Sequence, residues 1–380
     1  MTLLTLLLLA QAPAVLPPWT PGTLDIHTIN TGRGDATLLV LPDGTSLMID
    51  AGDGGSSGPP RGTVAKPNAS RPAGEWLARY ARQMLRHDGQ PAIDYFLLTH
   101  FHSDHMNGIP DLARHIPIRR ILDRGWPSYD WPQPIREPGF NVYRDFVTRS
   151  STIKAERFVA GRNDQITLVR DRARYPNLEI RNVAVNGEVW TGVAANTVKT
   201  YPPLESLKPE EYPRENPSSC ALRVSYGAFD YFNGGDLSGD EVGAEPWRDM
   251  ETPVAKAIGP TDVIKLNHHG NQDSTTAFFL RTVRPRVFLI PVWSSDHPGQ
   301  TVLTRLYSER IYPGPRDGFA INMLEANKQV IGPLLSRLKS DQGHIVVRVA
   351  PGGASYRIYI LDDSAETYTV KAEFGPYESR

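Results

Sequence analysis

The stretch LLTHFHSDHMNG, residues 97–108, places three histidines and an aspartate within six positions. The chain of 380 residues has only 10 histidines, so this density calls for a chemical explanation. An apolar run precedes the cluster and predicts a short buried strand, so the polar side chains begin where the strand ends. Residues i and i+2 of an extended chain point the same way, which lets His100 and His102 reach one ion. After a turn, Asp104 and His105 can reach a second ion beside it.

The composition restricts any metal site to nitrogen and oxygen ligands. The single cysteine, Cys220, can form neither an internal disulfide nor a cysteine-rich zinc motif. Imidazole and carboxylate are ligands that zinc takes at about 2.0–2.2 Å. A formal net charge of -1 gives no global attraction to nucleic acid or to an anionic membrane. Histidine, aspartate and glutamate therefore have to supply the site.

The N-terminal residues 1–14 predict a signal peptide. The apolar run at residues 3–10 is too short to span a bilayer, and the small-residue pattern Ala10-Gln11-Ala12 follows it. The positive charge that usually precedes such a run is missing. We therefore expect an exported protein, periplasmic or secreted. A short N-terminal anchor or a wrongly assigned start is the alternative, and without export the chain would be cytoplasmic.

The rest of the chain alternates predicted strands and helices. Strands are predicted at residues 24–30, 36–41, 46–50, 95–98, 119–123, 221–226, 228–233, 263–267 and 287–292, with an antiparallel pair in residues 344–371. Helices are predicted at residues 74–88, 111–116, 275–283 and 301–309. Residues 125–217 show a poor pattern with many prolines and at least one β-rich stretch, at residues 179–190. We interpret the segment as a loop-rich insertion or lid. This order predicts an α/β fold of two packed sheets with helices outside.

Two further places supply metal ligands at the ends of predicted strands, as a two-metal site requires. Asp236 follows a strand and a Gly-Gly pair that lets the backbone turn closely. His268 and His269 follow another strand and precede a glycine. The sequence leaves open which of the two histidines faces the ion. We favour His269, with His268 close enough to touch the substrate.

These segments together resemble the metallo-β-lactamase superfamily of metal-dependent hydrolases. The resemblance covers residues 24 to about 310 except the segment 125–217, within a hydrolase domain of residues 23–375. It implies a four-layer αββα sandwich with two zinc ions at one edge of the sheets, Mn²⁺ being the alternative metal. In the implied site, one metal has His100 and His102, the other has Asp104 and His105, Asp236 bridges them, His269 closes the site, and Asp50 holds the histidine loop.

A narrower set of motifs is similar to the hydrolase domain of competence proteins of the ComEC/Rec2 type and to secreted phosphorylcholine esterases. The motifs are Gly32-Arg33-Gly34-Asp35-Ala36, ENPSSCALRVSYG at 215–227, GGDLSG at 234–239, LNHHGNQDS at 266–274 and Asp296-His297-Pro298. In the esterase group the common activity is phosphodiester cleavage. The narrower resemblance therefore implies a phosphodiester substrate.

One histidine of the wider superfamily is missing. The only histidine between His105 and Asp236 is His115, which falls on a predicted helix. The segment ENPSS stands where the missing histidine is expected, so Asn216 or Ser219 could touch the site instead. We therefore expect one of the two zinc ions to be held more weakly.

The predicted reaction is hydrolysis of a phosphodiester by metal-activated water. Asp104 positions the ions, and His268 or His297 steadies the leaving oxygen. The substrate is a nucleic acid or a small phosphodiester. Nucleic acid is kept open by six arginines, Arg119, Arg120, Arg124, Arg136, Arg144 and Arg149. Hydrolysis of a lactone or another ester and a non-catalytic metal-binding module are the alternatives. The sequence does not give the oligomeric state.

Overall fold

The computed structural model describes residues 15–54, 64–239 and 245–380. Within these residues, one nine-stranded sheet and one eight-stranded sheet are formed. The predicted signal peptide, residues 1–14, lies outside the described residues, so export stays a prediction. No helix in the described ranges is long and apolar enough to cross a bilayer.

The strands, in chain order, are β1 Leu24–Thr28, β2 Thr37–Val40, β3 Ser46–Ile49, β4 Ile93–Leu97, β5 Ile118–Asp123, β6 Lys154–Arg157, β7 Leu178–Val185, β8 Glu188–Trp190, β9 Thr197–Lys199, β10 Ala221–Tyr226, β11 Phe229–Asn233, β12 Val263–Lys265, β13 Val287–Ile290, β14 Asp317–Ala320, β15 His344–Val349, β16 Ser355–Leu361 and β17 Val370–Glu378. The helices are α1 Ala73–Met84, α2 Ser103–Met106, α3 Ile109–His115, α4 Phe140–Arg149, α5 Glu251–Ile258, α6 Ala277–Val283, α7 Gln300–Leu306 and α8 Glu325–Ile331.

Alternating apolar faces of the strands divide the core into three packed layers. Leu47, Leu97, Leu222 and Val287 belong to the layer between the two sheets. The outer face of the first sheet packs on α1, α3 and α4, and the outer face of the second packs on α5, α6 and α7. Helices, two sheets and helices make four layers. The predicted αββα sandwich is confirmed.

The two sheets each contain a block of four parallel strands. In the first sheet the block is β3-β4-β5-β6, and in the second it is β11-β12-β13-β14. Parallel neighbours need crossover connections, which α1, α3 and α4 supply in one block and α5, α6 and α7 in the other. The loops that follow the carboxyl ends of parallel strands commonly form the ligand site of an α/β fold. The predicted metal ligands all lie in such loops.

The segment 125–217 is more regular than the sequence analysis predicts. It contains α4 and adds β6 to the first sheet and β7, β8 and β9 to the second, with β7 and β8 lying at the predicted β-rich stretch 179–190. Helix α4 buries Phe140, Tyr143 and Val147 at three- and four-residue spacing, a signal hidden by the surrounding prolines. The loop-rich parts of this segment are residues 126–139, 158–177 and 200–217. The chain also ends in three antiparallel strands, β15, β16 and β17, so the prediction of a single pair was too short.

A buried histidine in β1 predicts acid sensitivity of the fold. Burial, together with the Arg348 guanidinium and His344, lowers the pKa of His27 from 6.5 to about 3. The unfolded chain takes up this proton near pH 6.5 whereas the folded protein does so only near pH 3, so stability falls as the pH drops between these values. We expect His27→Gln to reduce the loss of unfolding free energy between about pH 7 and about pH 5, measured in urea.

His115→Gln is the control for this comparison, because the His115 side chain is 38% exposed. It should keep the pH dependence of the wild-type protein. A wild-type pH dependence in His27→Gln would contradict the assignment of the effect to His27.

Candidate metal centre

Strand β4 delivers the histidine cluster to the carboxyl edge of the first sheet. His100 and His102 converge there, with His100 Nε2 lying 3.1 Å from His102 Nδ1. Helix α2 then turns the chain, so that His105 Nε2 lies 3.7 Å from Asp104 Oδ2. His100 and His105 are fully buried, and Asp104 is nearly so. The stretch that opened the sequence analysis therefore forms one compact group of ligand atoms.

Asp236 follows β11 and reaches this group from the second sheet. Its Oδ2 lies 3.2 Å from His105 Nε2 and 3.8 Å from His100 Nε2. Gly235 has φ +57°, and a Cβ at this position would lie 2.8 Å from the side chain of Thr99. The glycine is needed because only a residue without a side chain fits this turn. Asp236 is thus placed between the two pairs of ligands, as a bridging residue would be.

The loop after β12 separates the roles of the two adjacent histidines. Both have left-handed backbones, with φ +45° at His268 and +55° at His269, an arrangement that is uncommon outside glycine. His269 Nε2 lies 3.2 Å from Asp104 Oδ2 and 3.4 Å from Asp236 Oδ2. His268 instead places Nδ1 2.7 Å from Asp273 Oδ1 and Nε2 3.1 Å from Asn216 Nδ2. The structure therefore brings His269 into the cluster and leaves His268 at its edge.

Charged histidine and aspartate side chains lie close together in this buried cluster and shift one another's pKa. Burial alone would lower the pKa of His105 and His269, but Asp236 and the neighbouring carboxylates raise both well above the usual range. Burial likewise works to raise the pKa of Asp104 and Asp236, but the two histidines hold both well below the usual range. The carboxylates therefore remain ionised inside the protein. A divalent cation would bind these two negative charges and displace protons from His105 and His269.

The donor set fits a zinc site. Nitrogen or oxygen atoms of Asp35, His105, Asp236 and His269 lie within 4.8 Å of one another. Asp236 Oδ1 is buried and has no hydrogen-bond partner among the described residues, although buried polar atoms are normally paired. An oxygen ligand without a partner in a cluster of imidazoles is the expected state of a residue that binds a metal.

Asp50 and Ser219 form hydrogen bonds that position the candidate ligands His105 and Asp236. Asp50 accepts hydrogen bonds of 2.8 Å from the Thr99 backbone N–H and from the Thr99 hydroxyl. Its Oδ2 also lies 2.8 Å from His105 Nδ1, which orients the imidazole. Ser219 Oγ accepts a hydrogen bond of 3.2 Å from the backbone N–H of Asp236. Both residues therefore contact candidate ligands or the backbone that carries them.

The segment that stands in place of the missing histidine supports the histidine loop. Glu215 Oε1 accepts a hydrogen bond of 2.8 Å from the backbone N–H of Phe101, the residue between the first two histidines. The Arg124 guanidinium, which is buried, binds both carboxylate oxygens of Glu215 and lies 4.8 Å from the centroid of the Phe101 ring. The sequence analysis missed this pair, since the two residues are far apart in the chain.

His297 lies behind His269 rather than in the cluster. The two rings stack with centroids 4.8 Å apart, and His297 is 2% exposed. Trp293 covers the same side and donates from Nε1 to His269 Nε2 at 3.4 Å. His297 packs against a candidate ligand, and its contact with a substrate stays a prediction.

A cavity of about 520 Å³ opens beside His102 and His268. Its walls come from residues 132–137 and 213–217, the loop-rich parts of the segment that was interpreted as a lid. Four arginines contribute to the lining, namely Arg124, Arg136, Arg214 and Arg248. A volume of this size suits a small organic molecule. The cavity therefore adjoins the candidate metal site.

Asp35 and Lys265 are further polar residues of the site that the sequence analysis did not assign. Asp35 Oδ1 lies 3.1 Å from His269 Nδ1, and Lys265 Nζ lies 2.5 Å from Asp35 Oδ2. The motif Gly32-Arg33-Gly34-Asp35-Ala36 was noted only as part of a resemblance. A lone aspartate in a turn and a lone lysine in a strand carry no spacing signal for a metal site.

Comparisons with known proteins agree with this geometry. Residues 29–146 match the model of the metallo-beta-lactamase superfamily. Thioesterase pkgB of Emericella nidulans is 29% identical over 137 residues, 36% of this chain and 31% of that protein. Lactamase-like protein vrtG of Penicillium aethiopicum is 34% identical over 129 residues, 32% of this chain and 32% of that protein. The chain thus spans about a third of the length of these curated relatives.

Among solved structures, a mutant of the CmlA beta-hydroxylase aligns with 87% of this chain and 54% of its own, at 14% identity and a TM-score of 0.40. The match of residues 29–146 includes Asp50 and the whole histidine cluster. This part of the chain is therefore similar in sequence to the metallo-beta-lactamase superfamily.

Proposed function

We propose that the protein is a metal-dependent hydrolase of a small phosphodiester. The observation that carries the proposal is the convergence of buried histidines and aspartates from both sheets beside a cavity lined by arginines. His100, His102 and Asp236 would hold one zinc ion, and Asp104, His105, His269 and Asp236 the other. When bound, such a metal pair makes water acidic enough to act as a nucleophile near neutral pH and neutralises charge on the substrate.

Other residues of the chain would orient the metal ligands or contact the substrate. Asp50 fixes His105, and Ser219 fixes the turn that carries Asp236. Burial works to lower the pKa of His268, but its Nδ1 hydrogen bond to Asp273 and the charge of Asp236 raise it above the usual value. The imidazolium form would carry a hydrogen on Nε2, which it could donate to the leaving oxygen at the cavity. Asn216, which lies 3.1 Å from that nitrogen, is the group that a substrate would displace.

The arginines of the cavity wall favour an anionic substrate. Guanidinium groups bind phosphate with paired hydrogen bonds. Arg248 is fixed by a hydrogen bond of 2.7 Å to the carbonyl oxygen of Glu211 and lies 4.3 Å from the centroid of the Trp247 ring. Arg136 is exposed at the same wall. One fixed and one exposed arginine in the same cavity suit a phosphoryl group with a small organic substituent.

The positions of the six predicted arginines favour a small substrate over nucleic acid. Most of them contact carboxylates, in the pairs Arg119–Asp94, Arg120–Glu156, Arg124–Glu215, Arg144–Asp145 and Arg149–Asp145. Arg136 is the one of the six that lies in the cavity wall without such a pair among the described residues. Nucleic-acid binding needs a basic groove that follows the backbone. Paired arginines present little net positive charge to a polyanion.

Removal and return of metal test the proposed function. The purified protein, treated with a chelator, should lose hydrolysis of a chromogenic phosphodiester and regain it with Zn²⁺ or Mn²⁺. Metal analysis should find one tightly held and one weakly held ion, because one position has fewer protein ligands. His102→Ala should stay inactive after reloading, whereas His115→Ala, remote from the cluster, should recover. Fewer than one ion per chain would favour a non-catalytic module instead.

A second candidate is hydrolysis of a thioester or another activated ester. It is favoured by the relative named thioesterase pkgB, which matches about a third of this chain. The same reloaded protein should therefore be assayed against thioesters, lactones, β-lactams, single-stranded DNA and RNA. Turnover of a thioester without turnover of any phosphoester would replace the first proposal by the second.

A further inference from the structure

Asp35 and Lys265 form a buried ion pair on the side of His269 that faces away from the other ligands. Lys265 Nζ lies 2.5 Å from Asp35 Oδ2 and 3.0 Å from the carbonyl oxygen of Gly235. The side chain of Lys265 is 1% exposed and that of Asp35 is 3% exposed. Burying an ion pair carries a desolvation cost, so a pair next to a candidate metal centre points to a role in that centre.

We propose that Asp35 is a positioning residue that fixes the ring of His269, and that Lys265 in turn fixes Asp35; this inference rests on the proposed function. Asp35 Oδ1 lies 3.1 Å from His269 Nδ1, while the other ring nitrogen lies 3.2 Å from Asp104 Oδ2. A histidine that binds metal through one nitrogen usually donates its other N–H to a carboxylate, which sets its tautomer and orientation.

Direct ligation of a metal by Asp35 is the competing arrangement, and the contacts disfavour it. Asp35 Oδ2 is bound by the ammonium of Lys265, and Oδ1 faces His269 Nδ1. Both oxygens already have partners that a ligating carboxylate would have to give up. Asp236 Oδ1, by contrast, has no hydrogen-bond partner among the described residues. Asp35 would therefore contact His269 and not bind the metal directly.

The backbone ties Asp35 to the histidine cluster as well. Gly34 has φ +90°, and a Cβ there would lie 1.9 Å from the carbonyl oxygen of Asp104. The glycine allows this close approach, and the Asp35 backbone N–H donates to the same oxygen at 3.0 Å. Asp35 thus connects a loop of the first sheet, through its side chain, to a ligand from the second sheet. Its position depends on both halves of the site.

The test measures zinc affinity and the state of the His269 ring in addition to turnover. Asp35→Asn is expected to weaken zinc binding roughly 10- to 100-fold in competition with a chelating dye. It should also shift the proton signal of His269 Nδ1–H in the ¹⁵N-edited spectrum of the zinc-loaded protein. The carbonyl oxygen of Pro291, 3.2 Å from the same nitrogen, is the alternative acceptor, so the signal should move rather than vanish.

Asp25→Asn is the matched control. Asp25 is as buried as Asp35 and pairs with Arg348 at 2.6 Å, but it lines a different cavity beside Trp19 and His87. This variant loses the same kind of ion pair and should keep zinc affinity and the ring signal unchanged. If Asp35→Asn does not fold, Asp35→Asn/Lys265→Gln removes both buried charges and should show the same loss of affinity.

Wild-type zinc affinity together with an unshifted ring signal in either folded variant would overturn the positioning role. Failure of the proposed function has a different signature. A wild-type protein that hydrolyses none of the assayed esters, yet loses zinc affinity on Asp35→Asn, would keep the positioning role and remove the hydrolase proposal. The two outcomes are therefore separable in one set of samples.

Discussion

Asp236→Ala is expected to abolish metal-dependent hydrolysis and to lower the number of bound ions per chain. Asp236 Oδ2 lies 3.2 Å from His105 Nε2 and 3.4 Å from His269 Nε2, and it also faces His100. It is the residue shared by both proposed metal positions. Loss of activity should exceed the roughly 100-fold that removal of an outer hydrogen-bond partner of a ligand costs. Steady-state kinetics and metal analysis of the purified variant measure the effect.

Asp230→Asn is the control for Asp236→Ala. Asp230 lies on the same strand, β11, but pairs with Arg223 at 2.7 Å at the other end of it. Its substitution should leave metal content and turnover unchanged. A thermal unfolding curve of each variant shows that the protein is folded. Wild-type activity in a folded Asp236→Ala variant would mean that the cluster is not the catalytic site.

Arg124→Met is expected to cost about 3–5 kcal/mol of unfolding free energy, the range for breaking a buried ion pair from one side. The Arg124 side chain is 1% exposed and Glu215 is 16% exposed, so solvent cannot replace the lost partner. Glu215 in turn holds the backbone between His100 and His102. We therefore expect weaker metal binding in the same variant. Urea unfolding and chelator competition measure the two effects.

Two comparisons make this second prediction specific. Arg124→Met/Glu215→Gln removes both charges and should recover part of the lost stability, because no unpaired carboxylate remains. Arg114→Met changes an arginine that is 73% exposed and paired with Asp111, and it should alter the unfolding free energy by no more than about 0.5 kcal/mol. A similar small change in Arg124→Met would contradict the supporting role of the pair.

The predictable part of the fold follows strong local signals. The apolar runs that became β3, β4, β12 and β13 are continuous and end in polar loops, as buried parallel strands do. Helix α1 shows a clear spacing of buried residues, including Trp76 and Tyr80. Helix α4 was missed because it follows the proline-rich residues 127–138, and strand β6 was missed because it has only four residues and buries none of them. Their structure depends on packing against residues far away in the chain.

The predictable part of the site is the set of residues whose type and spacing together indicate metal binding. The cluster at residues 100–105 has such spacing, and Asp236 and the pair His268-His269 were added to it because they follow predicted strands. The structure places the cluster, Asp236 and His269 together. Asp35, Lys265 and the Arg124–Glu215 pair have no such spacing, because they act through contacts between residues distant in the sequence. Only three-dimensional packing reveals residues of this kind.

The candidate ligands come from two different sheets. Zinc affinity should therefore depend on how closely the two sheets pack together. The histidine cluster belongs to the first sheet, whereas Asp236 and His269 follow strands of the second. The proposed metal site takes ligands from both sheets, so a bound ion would link the two sheets. Folding and metal supply then become linked, since a ligand that binds only the folded state stabilises it by mass action. A chelator titration could therefore detect loosening between the sheets before the helices begin to melt.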